Sequence, residues 1–177
     1  MATTSPRTSG TTKIRDTNNI PSLLKDMDAI IIRVANKAGD YLAGKIVDKM
    51  VAQDPGWKPL AESTIAAKGS SKAWIDTGEI MGLIEDTAKS VRVDGGNPKI
   101  VQVGIFEHEK AFIAYCLEFG TNGGSIVAGG IIHTWNHIPE RPLFRLVFDE
   151  EREKIIDLIQ TELGKELDNY FLKFSSR

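Results

Sequence analysis

SVRVDGGNPKIVQVGIF, residues 90–106, decides the class of this fold. Val91 and Val93 alternate with Arg92 and Asp94, the Gly-Gly-Asn-Pro of residues 95–98 is turn chemistry, and Lys99 to Phe106 alternates again. The stretch therefore predicts two antiparallel strands of a hairpin, Ser90 to Asp94 and Lys99 to Phe106. On both sides the spacing changes to that of helices. Upstream, apolar residues from Leu23 and Leu24 through Met27, Ile30, Val34, Ala38 and Leu42 to Ile46 and Met50 recur at steps of three and four. They predict one helix, opened at Pro21 or Ser22 and closed near Gln53. At 1.5 Å per residue it is ~46 Å long unless Gly39 or Gly44 bends it, so part of it is expected to project. Downstream of Arg141 and Pro142 a second long helix runs through Leu146, Val147, Ile155, Ile159, Leu163, Leu167 and Phe171. Its six consecutive charged residues, Asp149 to Lys154, predict a turn solvated on every side, where the helix leaves the core before packing again.

The connections fit the same plan. Asp54, Pro55 and Gly56 stop the first helix, a short helix ends at Gly69, and another begins near Asp76, Thr77 and Gly78. Lys110 to Phe119 places Phe112, Ile113, Tyr115, Cys116 and Phe119 at helical spacing and stops at Gly120, which predicts a buried helix. Two short β-like runs around Gly129 and Gly130 predict a flexible hairpin or loop over residues 122–137. The expected class is α+β: a small antiparallel β-sheet flanked by two long helices and short helices. Residues 1–19, rich in Thr and Ser with Ile14 as their one large apolar residue besides Met1, read as an extended arm, disordered or ordered by a partner, of local charge +2 from Arg7, Lys13 and Arg15 against Asp16. Residues 20–177 form a single domain, in keeping with 177 residues and 19.5 kDa.

Composition narrows the function. With 41% hydrophobic and 26% charged residues, and no apolar run approaching a membrane span, the chain reads as an ordinary globular protein. The first twelve residues hold no apolar core of the secretory-signal kind, so the protein is expected to stay where it is made. One cysteine, Cys116, excludes an internal disulfide. A net charge of −2 gives no global pull toward nucleic acid or anionic lipid.

Chemical constellations are sparse. His133 and His137 stand four apart, a spacing that holds a metal on a helix, but Gly129, Gly130, Ile131 and Ile132 argue against a helix there. Glu107, His108 and Glu109 read as a polar connection rather than a general base with orienting carboxylates. Cys116 lies in the most apolar helix, where burial makes a thiol inert. No Gly-x-Ser-x-Gly and no phosphate-cradling loop with its lysine is present. Lys68, Lys72 and Trp74 form a small basic loop with an aromatic neighbour, read as a surface loop with an anchored Trp and only secondarily as a nucleic-acid contact. No catalytic, cofactor-binding or metal-ligating residue is assigned.

Three segments taken in order carry a family resemblance. The first is Trp57, Pro59 and Leu60 (W-x-P-L), followed by Asp76, Thr77 and Gly78 (D-T-G). The second is Glu118, Phe119, Gly120 and Thr121 (E-F-G-T), and the third is Pro139, Arg141 and Pro142 (P-x-R-P) leading into the last helix. Over residues 55–160 their combination resembles the neck or tail-completion proteins of tailed bacteriophages, the virion morphogenesis and minor tail component families. Glu79 stands where that family often has a basic residue, and the 122–137 excursion is longer than the family's connection. These motif positions read as frame residues: Thr77 caps a helix, Gly120 takes φ > 0, Pro142 starts the last helix, and Arg141 pairs with Glu118 or a neighbouring subunit's carboxylate.

The resemblance implies a structural virion protein, not an enzyme, assembled as a ring at the head–tail joint, six copies being preferred and twelve the alternative. Its partners would be the connector or stopper and the tail terminator or tail tube, with genomic DNA passing through and no membrane contact. It would reside in the virion neck or tail and, during assembly, in the host cytoplasm. The contrasting expectations are a metal-binding or hydrolytic enzyme using His108, His133 and His137, a transient morphogenesis factor, and a nucleic-acid-binding regulator.

Overall fold

Helix α1, Ile20–Ala52, presents Ile30, Val34, Ala38, Ala43, Ile46 and Met50 to the interior, each at most 4% exposed, as the three-and-four spacing requires. The computed structural model describes residues 20–175 apart from Asn97, Glu107, Gly129, Gly130 and Asn136. The expected N-terminal arm, part of each hairpin turn and Glu107 thus lie outside the described residues. After α1 come α2 (Glu62–Lys68), α3 (Glu79–Glu85), α4 (Thr87–Ser90), β1 (Val91–Asp94), β2 (Ile100–Val103), α5 (Lys110–Phe119), β3 (Gly124–Ala128), β4 (Ile131–Trp135) and α6 (Phe144–Ser175). The class is α+β, with two long helices and small antiparallel pairing. β1 and β2 form one two-stranded sheet with Val91 opposite Val103, and β3 and β4 form another with Gly124 opposite Trp135.

The first hairpin is shorter than the alternation suggests. Ser90 closes α4 instead of opening the strand, its hydroxyl donating to Ile84 O at 2.8 Å, and β2 ends at Val103. Gly69 ends α2 in the left-handed region, φ 67°, with its N–H on Ile65 O, as its position predicts.

α1 and α6 lie antiparallel along most of their length. Arg33 meets Glu166 at 2.7 Å, Lys37 meets Glu162 at 2.6 Å, Tyr41 donates to Glu151 at 2.6 Å, and Lys49 bridges Glu150 at 2.8 Å and Asp54 at 2.7 Å. The charged run 149–154 is therefore not solvated on every side. The expected departure from the core is overturned because α1 carries Tyr41 and Lys49 at the positions facing it, and Glu151 is only 13% exposed. Val147, 2% exposed, and Leu143, fully buried, bring the start of α6 into the core with Ile46, Met50, Trp74 and Ile84.

Gly39 explains how β1 sits on α1: a Cβ there would overlap Val91 Cγ1, so the strand approaches the bare backbone. Around Gly44 there is open space. Gly39→Ala is predicted to destabilise the fold by ~1–3 kcal/mol through overpacking. Gly44→Ala is predicted to stabilise it by ~0.5–1 kcal/mol through helix propensity. Urea denaturation of the two variants side by side checks the pair of signs.

The α1–α6 contact also sets a pH dependence. Hydrogen bonds from Lys165 and Lys37 hold the Glu162 carboxyl down to about 2 from its ordinary 4.5. Because the folded value lies below the unfolded one, the contribution is complete above pH 4.5 and is lost as the pH falls through about 2. Lys37→Met is predicted to raise the Glu162 pKa and to flatten the stability profile across that window. Carboxyl-resolved NMR titration checks it, and an unmoved Glu162 would contradict the assignment.

Candidate functional site

α5 ends in Glu118-Phe119-Gly120-Thr121, and the buried carboxylate of Glu118, in a residue 5% exposed, lies against the start of α6. Its Oε2 accepts the N–H of Leu143 at 2.7 Å and of Phe144 at 3.1 Å, while Oε1 accepts the N–H of Arg145 at 3.1 Å. The first N–H groups of a helix have no partner within it and sit at the positive end of its dipole, so one anion on three of them is a favourable cap. Pro142 does not start α6. The helix begins at Phe144, and Glu118 does the capping from another element.

Arg141, 3% exposed, does not pair with Glu118 as expected. Its Nε donates to Lys58 O at 2.8 Å, Nη2 to Pro59 O at 2.9 Å and Nη1 to Pro139 O at 3.2 Å, and its own N–H donates to Leu117 O at 2.7 Å. Among the described residues the guanidinium has no carboxylate partner, and burial pushes its pKa down from the ordinary value. A planar fork reaching two successive carbonyls suits arginine and not lysine. Two indoles close the knot: Trp57 Nε1 donates to Pro142 O and Trp74 Nε1 to Arg141 O, both at 2.9 Å. The W-x-P-L, E-F-G-T and P-x-R-P segments thus meet in one hydrogen-bonded frame around the buried Glu118 and Arg141, with Leu60 half-buried against the core.

Gly120 takes φ 69° and ψ 176°, and a Cβ there would lie 2.9 Å from both Glu140 N and Ile138 O, so both conformation and space demand glycine. Thr121 and Ile138 then exchange backbone hydrogen bonds of 2.8 and 2.9 Å, forming the base of the β3–β4 hairpin. The D-T-G turn stands apart from the frame and adjoins it through Trp74. Gly78, at φ 86°, is the N-cap of α3 with no side-chain cap, which corrects the role expected of Thr77; Asp76 and Thr77 are exposed.

The inward turn of Glu118 fixes the rotation of α5. Ala114 and Cys116 are buried with it, but Phe112, Tyr115 and Phe119 are 53%, 60% and 54% exposed. The expectation of a buried helix is corrected accordingly: the large apolar residues face outward because the carboxylate faces in. Cys116 is buried and burial pushes its thiol pKa up, in line with an inert role.

The alternative chemistry receives no assembled site from the described residues. His108 accepts the Lys110 N–H at 3.1 Å and lies 3.8 Å from Glu79, His137 is exposed at the foot of the hairpin, and the His133 side chain is outside the description. No group of three His, Cys, Asp or Glu among the described residues is placed to hold a metal. Trp74, 4% exposed, is unavailable for base stacking, and Lys68 donates to Lys72 O at 2.7 Å. No described helix is long and apolar enough to cross a membrane.

Sequence reasoning missed Arg145, which binds Glu118 O at 3.3 Å and Glu140 at 2.6 Å, and Gln53, whose amide bonds both ways to Ala73. Compared with protein-family models, with curated proteins and with solved structures, the chain matches none of them.

Removing the cap leaves three N–H groups without their acceptor, so Glu118→Ala is predicted to cost ~2–4 kcal/mol and Glu118→Gln less. Arg141→Met is predicted to cost a similar ~2–4 kcal/mol, with Arg141→Lys recovering little because an ammonium cannot span both carbonyls. Urea midpoints of the four variants, at unchanged slope, check the ordering.

Proposed function

We propose that this chain is a structural subunit of a phage head–tail joint, a neck or tail-completion protein that assembles as a ring around a DNA passage and links the connector to the tail. The observation that carries the reading is the convergence of segments around Trp57, Glu118 and Arg141. These lie apart in sequence, bear the motifs of the family resemblance, and are tied by buried and half-buried hydrogen bonds into one frame. From that frame emerges a hairpin whose strands pair with each other. A rigid base bearing a projecting, β-rich element and an exposed apolar helix face is what an assembly subunit needs, since interfaces draw on aromatic and apolar residues presented at the surface. Six copies is the preferred ring size and twelve the alternative, with stopper, terminator or tail-tube proteins as neighbours, and the role is mechanical rather than catalytic.

Cryo-electron microscopy of the purified virion tests the proposal. The expected result is this fold as a ring at the neck or at one end of the tail, with α1 and α6 traceable as a helical pair. Its absence from complete particles would overturn the structural role and favour a transient morphogenesis factor.

A further inference from the structure

Two pockets that share Val103 adjoin between α6 and β2 and together form an apolar groove. α6 forms one wall through Phe144, Phe148, Ile155, Ile156 and Ile159, and β2 forms the other through Val101 and Val103. Tyr115 and Phe119 close one end, where the groove encloses about 270 Å³; Leu42 and Gly39 floor the other, about 280 Å³. From Phe144 to Ile159 it is about 22 Å long at the helical rise. Phe148 is 47%, Ile156 38% and Ile159 36% exposed.

The wall made by β2 is an open strand edge. The Gly104 N–H bonds to Ser90 O at 2.9 Å, and this fixes the phase of the ladder: Arg92 with Gln102 and Asp94 with Ile100 are the hydrogen-bonded pairs. The N–H and C=O of Val101 and Val103 therefore point away from β1, toward the groove side, with no backbone partner among the described residues. An unpaired edge beside apolar walls is a template for another strand.

We infer that the occupant is the β3–β4 hairpin of a second copy of this chain, which adds a strand to β2 and places its apolar side chains against α6. Three observations select it. Residues 122–137 contain no Asp, Glu, Lys or Arg in a chain that is 26% charged, and Ile132 stands 67% exposed. The groove is matched in charge: the Glu118 carboxylate is turned onto the α6 backbone, Arg145 is paired with Glu140 at 2.6 Å, and only Arg152 at the far end adds a charge. Seating the hairpin therefore buries almost no uncompensated charge. The lengths agree as well, since a five-residue strand spans about 17 Å of the 22 Å groove. Donor hairpin and acceptor groove are different surfaces of one chain, so the contact is heterologous and generates a ring when the rotation closes. The inference rests on the ring reading above and supplies its interface.

The test uses full-length chain with Ile132→Asp in the hairpin and, separately, Ile156→Asp in the groove. Both positions are exposed, so each variant is expected to keep its circular dichroism and melting curve. Native mass spectrometry with light scattering is expected to show the wild type as a closed oligomer and each variant alone as a monomer. Their mixture, which retains one intact hairpin and one intact groove, is expected to give a 1:1 dimer and nothing larger. Wild-type oligomers that persist in both variants would overturn this contact while leaving the ring reading standing. A wild type that stays monomeric at the highest concentration would overturn the contact together with assembly by the chain alone. A 1:1 dimer from a protein absent from the virion would retain the contact and remove the structural role in the finished particle.

Discussion

The packing of α5 against α6 depends on one buried carboxylate. Glu118 satisfies three backbone N–H groups at the start of a 32-residue helix, and it does so from the last turn of another helix. A cap supplied locally would fix only the start of α6. This one fixes α6 relative to α5, and through the rotation of α5 it decides which apolar side chains reach the core and which face outward. The exposed Phe112, Tyr115 and Phe119 follow from it.

Arg141 performs the matching task on the other side. A buried guanidinium normally calls for a carboxylate, since an uncompensated charge is costly in a medium of low polarity. Here carbonyls of Lys58, Pro59 and Pro139 accept its hydrogen bonds, tying the irregular segment after α1 to the entry of α6. Trp57 and Trp74 bond to the next carbonyls in line, so the segment 139–142, which has no secondary structure of its own, is held at nearly every polar group. The hairpin then rises from a fixed point, the Thr121–Ile138 bridge beside Gly120. The hydrogen-bonded base and the hairpin that leaves it are thus separate parts of the chain, joined at one bridge.

Much of this was legible in the sequence. The helical spacing placed both long helices, Gly69 and Gly120 marked the stops of α2 and α5, and the residues 90–106 alternation announced the sheet. The motif positions Trp57, Glu118, Gly120 and Arg141 stood out by residue type, but not the partners each of them takes. What the sequence did not disclose are pairings across distance. Glu118 and Arg141 carry opposite charges, which invited a salt bridge, yet each found backbone partners that leave no trace in residue identity. Asp149 to Lys154 read as a solvated turn because the periodicity of one helix says nothing of Tyr41 and Lys49 on the helix beside it. Apolar spacing in α5 predicted burial, and only the inward demand of one carboxylate reversed it.

The central claim is that a carboxylate from α5 clamps the entry of α6 and thereby sets the outward face. Amide hydrogen exchange resolved to single residues tests it most directly. The account predicts that the Leu143, Phe144 and Arg145 amides exchange as slowly as those of the buried middle of α1, around Ile46 and Met50. Exchange of these three at the rate of a frayed helix terminus, while the α1 core stays protected, would contradict it.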